Sequence, residues 1–142
     1  MRLLIAFIFI FISSAIHSSS KPNIVLILID DLALTDIQAY GGEIDTPNMD
    51  SLAENGMLFT NYHTTSECAP SRAMLLTGMD NHNTGLPMIP EVMPWKYRDT
   101  PGYEGYLRDD ALTIAEMLKP AGYKTYMTGK WHLAFGGEET AA

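Results

Sequence analysis

The sequence has a single cysteine, Cys68, among its 142 residues. A disulfide within the chain is therefore excluded, which leaves a small buried side chain, an intermolecular bridge or a reactive group; composition alone favours the first. Basic residues are also few, 9 against 17 acidic ones, and the formal net charge is −8. Such a chain repels phosphates, so we expect no nucleic-acid partner. The 46% share of apolar residues is typical of a globular domain.

Long apolar runs are missing after the N-terminus. Arg2 is followed by a nearly unbroken apolar stretch over residues 3–12 and then by small and polar residues. A basic start, a short apolar centre and a small-residue exit predict a signal peptide over residues 1–20. An uncleaved anchor is the alternative, but the run is short for a membrane span. We expect an exported protein, periplasmic or secreted, with no stable membrane span after cleavage.

Strand and helix signals alternate along the rest of the chain. Three apolar stretches predict strands, over residues 24–29, 57–63 and 123–128. Alternation of this kind favours an α/β fold with a mostly parallel central sheet flanked by helices. In such a sheet the chemistry gathers beyond the carboxyl ends of the strands. Residues 79–108 have no clear periodicity and predict a long ordered loop, which compact domains usually keep for function.

Proline and glycine mark the predicted helices. Pro47 starts the first, which Gly56 ends. In the second, Pro70 suits the first helical position and Gly78 the position after the last turn, so Cys68 lies at or just before the helix N-terminus. A third helix is predicted from a cap at residue 110 to residue 119.

Two adjacent carboxylates, Asp30 and Asp31, end the first predicted strand. Such a pair most often forms a turn or caps a helix. If both side chains instead face a cleft, their oxygens suit a hard cation such as Ca²⁺ or Mg²⁺.

The other candidate residues are Cys68, Arg72, Lys130 and His132. A cation in a first helical turn, such as Arg72, is most often simply solvated. It gains nothing from the helix dipole there, and this unfavourable placement indicates an anionic partner nearby. Lys130 and His132 flank Trp131 and would share one side of an extended segment. Taken alone, they are better explained as exposed polar residues around a buried tryptophan.

Several motifs, in order along the chain, resemble those of the cysteine-type sulfatase family. They are KPN leading to DD (21–31), TPN (46–48), CAPSR with a trailing TG (68–78), and GYKT leading to GKWHL (122–133). The stretches GGEIDTPNMD and PGYEGYL are similar to those of bacterial arylsulfatases. One departure is Ala134, where the family's second signature usually has glycine.

The resemblance implies hydrolysis of a small-molecule or glycan sulfate ester. Cys68 would be oxidised to Cα-formylglycine by a formylglycine-generating maturation enzyme, and one oxygen of the hydrated aldehyde would attack sulfur. Asp30, Asp31 and residue 68 would hold a divalent metal, Ca²⁺ with Mg²⁺ as the alternative. Arg72 would hold the hydrate, and Lys130 would bind a sulfate oxygen. His132 would assist the proton step that releases sulfate.

The implied fold is the N-terminal part of an alkaline-phosphatase-like sulfatase fold. Residues 21–142 would form part of the catalytic domain, with an incomplete sheet, because members of the family are several times longer. We expect this segment alone to turn over little or no substrate. Two other functions stay open: a phosphonate or phosphodiester hydrolase of the same superfamily, and a non-catalytic exported binding module with an unmodified cysteine.

Overall fold

A computed structural model describes residues 21–98 and 100–135. The predicted signal peptide lies outside these residues. The α-helices are α1 (Pro47–Asn55), α2 (Cys68–Thr77), α3 (Asn81–Thr84) and α4 (Ile114–Leu118). Turns of 3-10 helix cover Leu34–Asp36, Gln38–Tyr40, Pro90–Val92 and Trp95–Tyr97. No helix in the described ranges is both long and apolar enough to cross a membrane.

The helix predicted to start at Pro47 is confirmed as α1. Pro47 occupies a first-turn position, where its missing N–H leaves no hydrogen bond unmade. The carboxylate of Asp50 accepts hydrogen bonds from the backbone N–H of Ala39, at 2.9 Å, and from the hydroxyl of Thr46, at 3.0 Å. Asp50 therefore fastens the start of α1 to the preceding 3-10 turn.

The second predicted helix is confirmed as α2, but it starts earlier than expected. Cys68 is its first residue, so Pro70 is the third rather than the first. The first turn still tolerates proline there, because its N–H groups have no partner within the helix. Gly78 ends α2 as predicted, with a left-handed φ of 71° and its N–H bonded to Met74 O at 2.8 Å.

The start predicted for the third helix was wrong. Helix α4 begins at Ile114, and its cap is Thr113 rather than Asp110. The Thr113 hydroxyl accepts the N–H of Glu116 at 3.3 Å, while the Glu116 carboxylate accepts the N–H of Thr113 at 2.8 Å. This reciprocal capping box outweighs a single aspartate cap. Asp110 instead forms a 2.7 Å ion pair with Arg108.

None of the three predicted strands is formed within residues 21–98 and 100–135. Their apolar side chains are largely exposed, with Val25 at 80%, Ile27 at 72% and Tyr126 at 87%. An apolar run indicates a need for burial, but a strand forms only where a second segment supplies backbone partners. The predicted parallel sheet is therefore not present in this part of the chain.

The loop predicted over residues 79–108 contains α3 and two 3-10 turns but is otherwise irregular. It is fastened to the segment near residue 135 by Arg98. The Arg98 guanidinium lies 3.9 Å from the ring centroid of Trp95 and 4.5 Å from that of Phe135. Stacking of a cation on both rings is favourable and orders this part of the loop.

A small core packs beneath α2. Ala73, Leu86 and Leu133 are fully buried, and Leu107 and Trp131 pack against them. The N–H of Leu107 also bonds to Leu133 O at 2.8 Å. The residues on either side of His132 are thus fixed against α2, which carries Cys68 and Arg72.

Replacement of Gly85 by alanine is expected to lower the free energy of unfolding by about 2 kcal/mol. Gly85 has a φ of +88°, and an added Cβ would lie 2.6 Å from Tyr106 O. Gly78→Ala is the matched control, since its φ is +71° but nothing lies within 4 Å of an added Cβ. We expect this control to cost about 1 kcal/mol, from backbone strain alone. Urea unfolding of both variants measures the difference, and equal losses would contradict the steric argument.

Candidate active site

Three of the sequence-predicted residues form one ion-paired cluster. Arg72 Nη2 lies 3.1 Å from Asp30 Oδ1, and Lys130 Nζ lies 2.6 Å from Asp30 Oδ2. Arg72 Nη1 also donates to the backbone carbonyl of Lys130, at 2.9 Å. These contacts join the residue-30 segment, α2 and the residue-130 segment, which are far apart in the sequence.

The charges in this cluster stabilise one another. Hydrogen bonds from Lys130 and then Arg72 hold the pKa of Asp30 below its usual value. The same bond to Asp30 raises the pKa of Lys130, against the opposing effect of partial burial. Asp30 and Lys130 are therefore both charged near neutral pH. Two cations face one carboxylate, so the cluster attracts anions.

Arg72 is the most deeply buried member of the cluster, with only 7% of its surface exposed. Two of its guanidinium nitrogens are satisfied by the contacts above. Its Nε is also buried but has no hydrogen-bond partner among the residues that the structure describes. A buried donor of this kind is costly unless an acceptor reaches it. The Nε is therefore available to an oxygen of a ligand or of a modified side chain.

A second set of contacts joins Cys68, His132 and Glu91. Cys68 Sγ lies 3.3 Å from His132 Nδ1, and the other ring nitrogen, Nε2, lies 3.2 Å from Glu91 Oε2. The imidazole is thus held from both sides, and its side chain is 13% exposed. Partial burial opposes the charge of Glu91, but hydrogen bonds from its own backbone and from His132 outweigh it and lower the pKa of Glu91.

Glu91 was missed in the sequence. It is part of none of the motifs described above. It lies within residues 79–108, in the 3-10 turn Pro90–Val92. Only the general expectation of a functional loop covered it. A contact between residues 41 positions apart has no local sequence signal.

Backbone strain occurs at two predicted site residues. Asp31 and His132 have φ values of 56° and 59°, and they are the non-glycine residues with positive φ in the described part of the chain. Left-handed backbone costs such residues about 1 kcal/mol or more and concentrates at functional sites. At His132 the cost is offset by the burial of Leu133 and the packing of Trp131.

The predicted metal ligands only partly fit a cation. Asp30 and Asp31 supply carboxylate oxygens, which hard cations prefer, and Ca²⁺ takes six to eight of them. Both oxygens of Asp30 already contact cationic side chains, and Asp31 is exposed. Within residues 21–98 and 100–135, no three His, Cys, Asp or Glu residues lie close enough together to hold a metal. The donor chemistry is suitable, but the described residues supply only part of a Ca²⁺ site.

A surface cavity of about 240 Å³ adjoins α2 elsewhere. It is lined by Tyr62, His63, Thr64, Ser71, Met74 and Leu75. None of the predicted site residues lines it, so this cavity is separate from the ion-paired cluster and from the contact between Cys68 and His132.

Comparison with known proteins identifies the family. A family model described as Sulfatase matches residues 22–142. An arylsulfatase of Klebsiella aerogenes is 46% identical over 118 residues, which is 81% of this chain and 24% of the relative. An uncharacterized sulfatase of Schizosaccharomyces pombe is 48% identical over the same length, 81% of this chain and 21% of the relative.

Relatives with other named substrates also match. An N-acetylgalactosamine-6-O-sulfatase of Bacteroides thetaiotaomicron is 42% identical over 126 residues, 84% of this chain and 22% of the relative. The chain therefore spans about a fifth to a quarter of the length of these relatives. Similarity of this order reaches enzymes named for different sulfate esters, so it does not select one of them.

Proposed function

Since this chain belongs to the sulfatase family, we propose that the natural protein containing it hydrolyses sulfate esters of the arylsulfatase type, releasing sulfate and an alcohol or phenol. The observation that supports this most is the meeting of separate segments around Cys68. His132 contacts the Cys68 sulfur, while Arg72 and Lys130 share the carboxylate of Asp30. The substrate would be a small-molecule or glycan sulfate ester.

The proposal requires two groups beyond the twenty amino acids. Oxidation of Cys68 to Cα-formylglycine, by a formylglycine-generating enzyme, would give residue 68 an oxygen nucleophile in place of a thiol. A divalent cation, Ca²⁺ with Mg²⁺ as the alternative, would supply Lewis-acid polarisation of sulfate oxygens when bound. Asp30, Asp31 and residue 68 are the ligands we propose from this chain.

Three residues of the chain would position residue 68, bind sulfate and accept a proton. Arg72, buried and with a free Nε, would donate to an oxygen at residue 68 and fix its direction. Lys130 would bind a sulfate oxygen as a compact cation. His132 would accept a proton from residue 68, and the contact between its Nδ1 and the Cys68 sulfur in the unmodified chain supports this role.

Mass spectrometry of the peptide that contains residue 68 tests the modification directly. We expect an aldehyde in place of the thiol when the protein is produced with a formylglycine-generating enzyme. Purified protein should then release sulfate from an aryl sulfate faster than phosphate from an aryl phosphate ester. A higher phosphate rate would favour the phosphoester hydrolase. An unmodified thiol together with no turnover would favour a binding module.

Loss of the Lys130 charge is expected to raise KM for an aryl sulfate by about 10- to 100-fold, because a hydrogen bond to a charged group contributes about 1.5–3 kcal/mol. Lys130→Met keeps an unbranched side chain that is one atom shorter, and it removes the donor. Lys124→Met, at an exposed lysine outside the cluster, is the control. Steady-state kinetics measures both variants. Equal KM values for Lys130→Met and wild type would show that Lys130 does not bind the substrate.

The proposal extends to the sheet and to export. The apolar segments 24–29, 57–63 and 123–128 would pair as strands of a mostly parallel sheet in an alkaline-phosphatase-like sulfatase fold, which would bury their exposed side chains. Slow hydrogen exchange at their amides in the natural protein is the expected result. Residues 1–20 would direct export to the periplasm or the medium, and N-terminal sequencing of the exported protein tests their removal.

A further inference from the structure

The loop over residues 79–108, which contains Glu91, contacts both the start of α2 and His132. Its residue Ile89 donates its backbone N–H to the Glu67 carboxylate at 2.7 Å, directly before Cys68. Two residues later, Glu91 reaches His132 at 3.2 Å. Further along, Arg98 stacks on Phe135. The loop is therefore anchored on both sides of Glu91, which limits the movement of this carboxylate.

We propose that Glu91 is a positioning residue that keeps the proton of the neutral His132 ring on Nε2 and so leaves the Nδ1 lone pair facing residue 68. A carboxylate only accepts hydrogen bonds, so the hydrogen between Glu91 Oε2 and His132 Nε2 must belong to the ring. A neutral imidazole carries one hydrogen, and the other nitrogen is then an acceptor. That nitrogen is Nδ1, which lies 3.3 Å from Cys68 Sγ.

The position of this proton matters for the reaction proposed above, on which the catalytic part of the inference rests. With hydrogen on Nε2, Nδ1 accepts a hydrogen bond from the group at residue 68 and can take its proton. With hydrogen on Nδ1, the ring donates a hydrogen bond toward residue 68. Its only basic nitrogen is then Nε2, which faces Glu91 and cannot take a proton from residue 68. Holding the correct tautomer is a known task of a carboxylate behind a catalytic histidine.

The surroundings indicate how strong the effect is. The His132 side chain is 13% exposed, whereas that of Glu91 is 49% exposed. Water thus competes for the carboxylate, and the contact is weaker than a fully buried pair. We expect loss of Glu91 to lower kcat by about tenfold, at the lower end for partners that orient a catalytic ligand.

Glu91→Gln tests the proposal, because glutamine has the same shape but can donate as well as accept. Long-range proton–nitrogen NMR spectra of the protein with ¹⁵N-labelled histidine report which ring nitrogen carries hydrogen. Spectra are recorded on the unmodified cysteine form, at a pH where the ring is neutral, and His132 is assigned by its loss in His132→Asn. Glu54→Gln, an exposed carboxylate on α1, is the matched control.

In the wild type and in Glu54→Gln we expect hydrogen predominantly on Nε2 of His132. Glu91→Gln should shift a substantial share to Nδ1 and, in the modified enzyme, lower kcat about tenfold with KM within about twofold. Predominant Nδ1–H in the wild type, or unchanged tautomers in Glu91→Gln, overturns the proposal. Shifted tautomers with unchanged kcat overturn its catalytic part. Absence of any sulfate ester turnover instead counts against the proposed function, while the spectra still decide where the proton lies.

Discussion

Replacement of Cys68 by alanine is expected to lower kcat for an aryl sulfate by at least about 10⁴-fold, because removing an enzyme's nucleophile costs 10⁴- to 10⁶-fold. Alanine has neither sulfur to oxidise nor an oxygen to place beside His132, whose Nδ1 lies 3.3 Å from the Cys68 sulfur. KM should change far less, because Arg72 and Lys130 are untouched. Initial rates of sulfate release by the natural protein measure the effect.

A fold defect is separated from a chemical one by two further measurements. Cys68 is the first residue of α2 and lies outside the buried core, so alanine should leave the urea midpoint almost unchanged. Cys68→Ser keeps a small side chain and adds a hydroxyl, but it provides one oxygen rather than the two of an aldehyde hydrate. We expect it to be nearly as inactive as the alanine variant. Activity within tenfold of wild type in Cys68→Ala would rule out residue 68 as the nucleophile.

The helix ends illustrate what the sequence alone reveals. Proline and glycine act through their own backbone, and the predicted limits of α1 and the end of α2 at Gly78 were right for that reason. The predicted start of α4 was wrong because Asp110 and Thr113 are both possible caps in that segment. Thr113 and Glu116 satisfy each other's N–H groups, whereas Asp110 is drawn to Arg108. A choice between neighbouring caps depends on geometry that single residues do not reveal.

The strands and Glu91 illustrate the opposite case. A strand needs partners that lie far along the chain, and none pairs with the apolar segments in the described residues. Glu91 acts through a contact with His132 that is equally distant in sequence. By contrast, Arg72, Lys130 and Asp30 were found because each lies in a motif of its own. The motifs identified which residues form the site, but not the ion pairs and hydrogen bonds between them.

Arg72→Ala is the second variant with a large expected effect, and it should damage both stability and activity. Arg72 is 7% exposed and bonds Asp30 and the backbone of Lys130. Its removal leaves a cavity and takes one of two cationic partners from Asp30. Asp30 is exposed and stays bound to Lys130, so the cost comes mainly from the lost packing of the buried Arg72 side chain, and we expect about 1–3 kcal/mol. Urea unfolding measures this loss.

Arg72→Lys separates charge from geometry in the same position. A lysine keeps the positive charge beside Asp30 but lacks the planar fork that reaches Asp30 and the Lys130 carbonyl together. We expect it to recover roughly half of the lost stability. In the proposed mechanism the Arg72 Nε–H positions residue 68, so kcat should stay about 100-fold below wild type. Full recovery of kcat in Arg72→Lys would mean that Arg72 contributes only its charge, and the buried Nε would then have no part in the reaction.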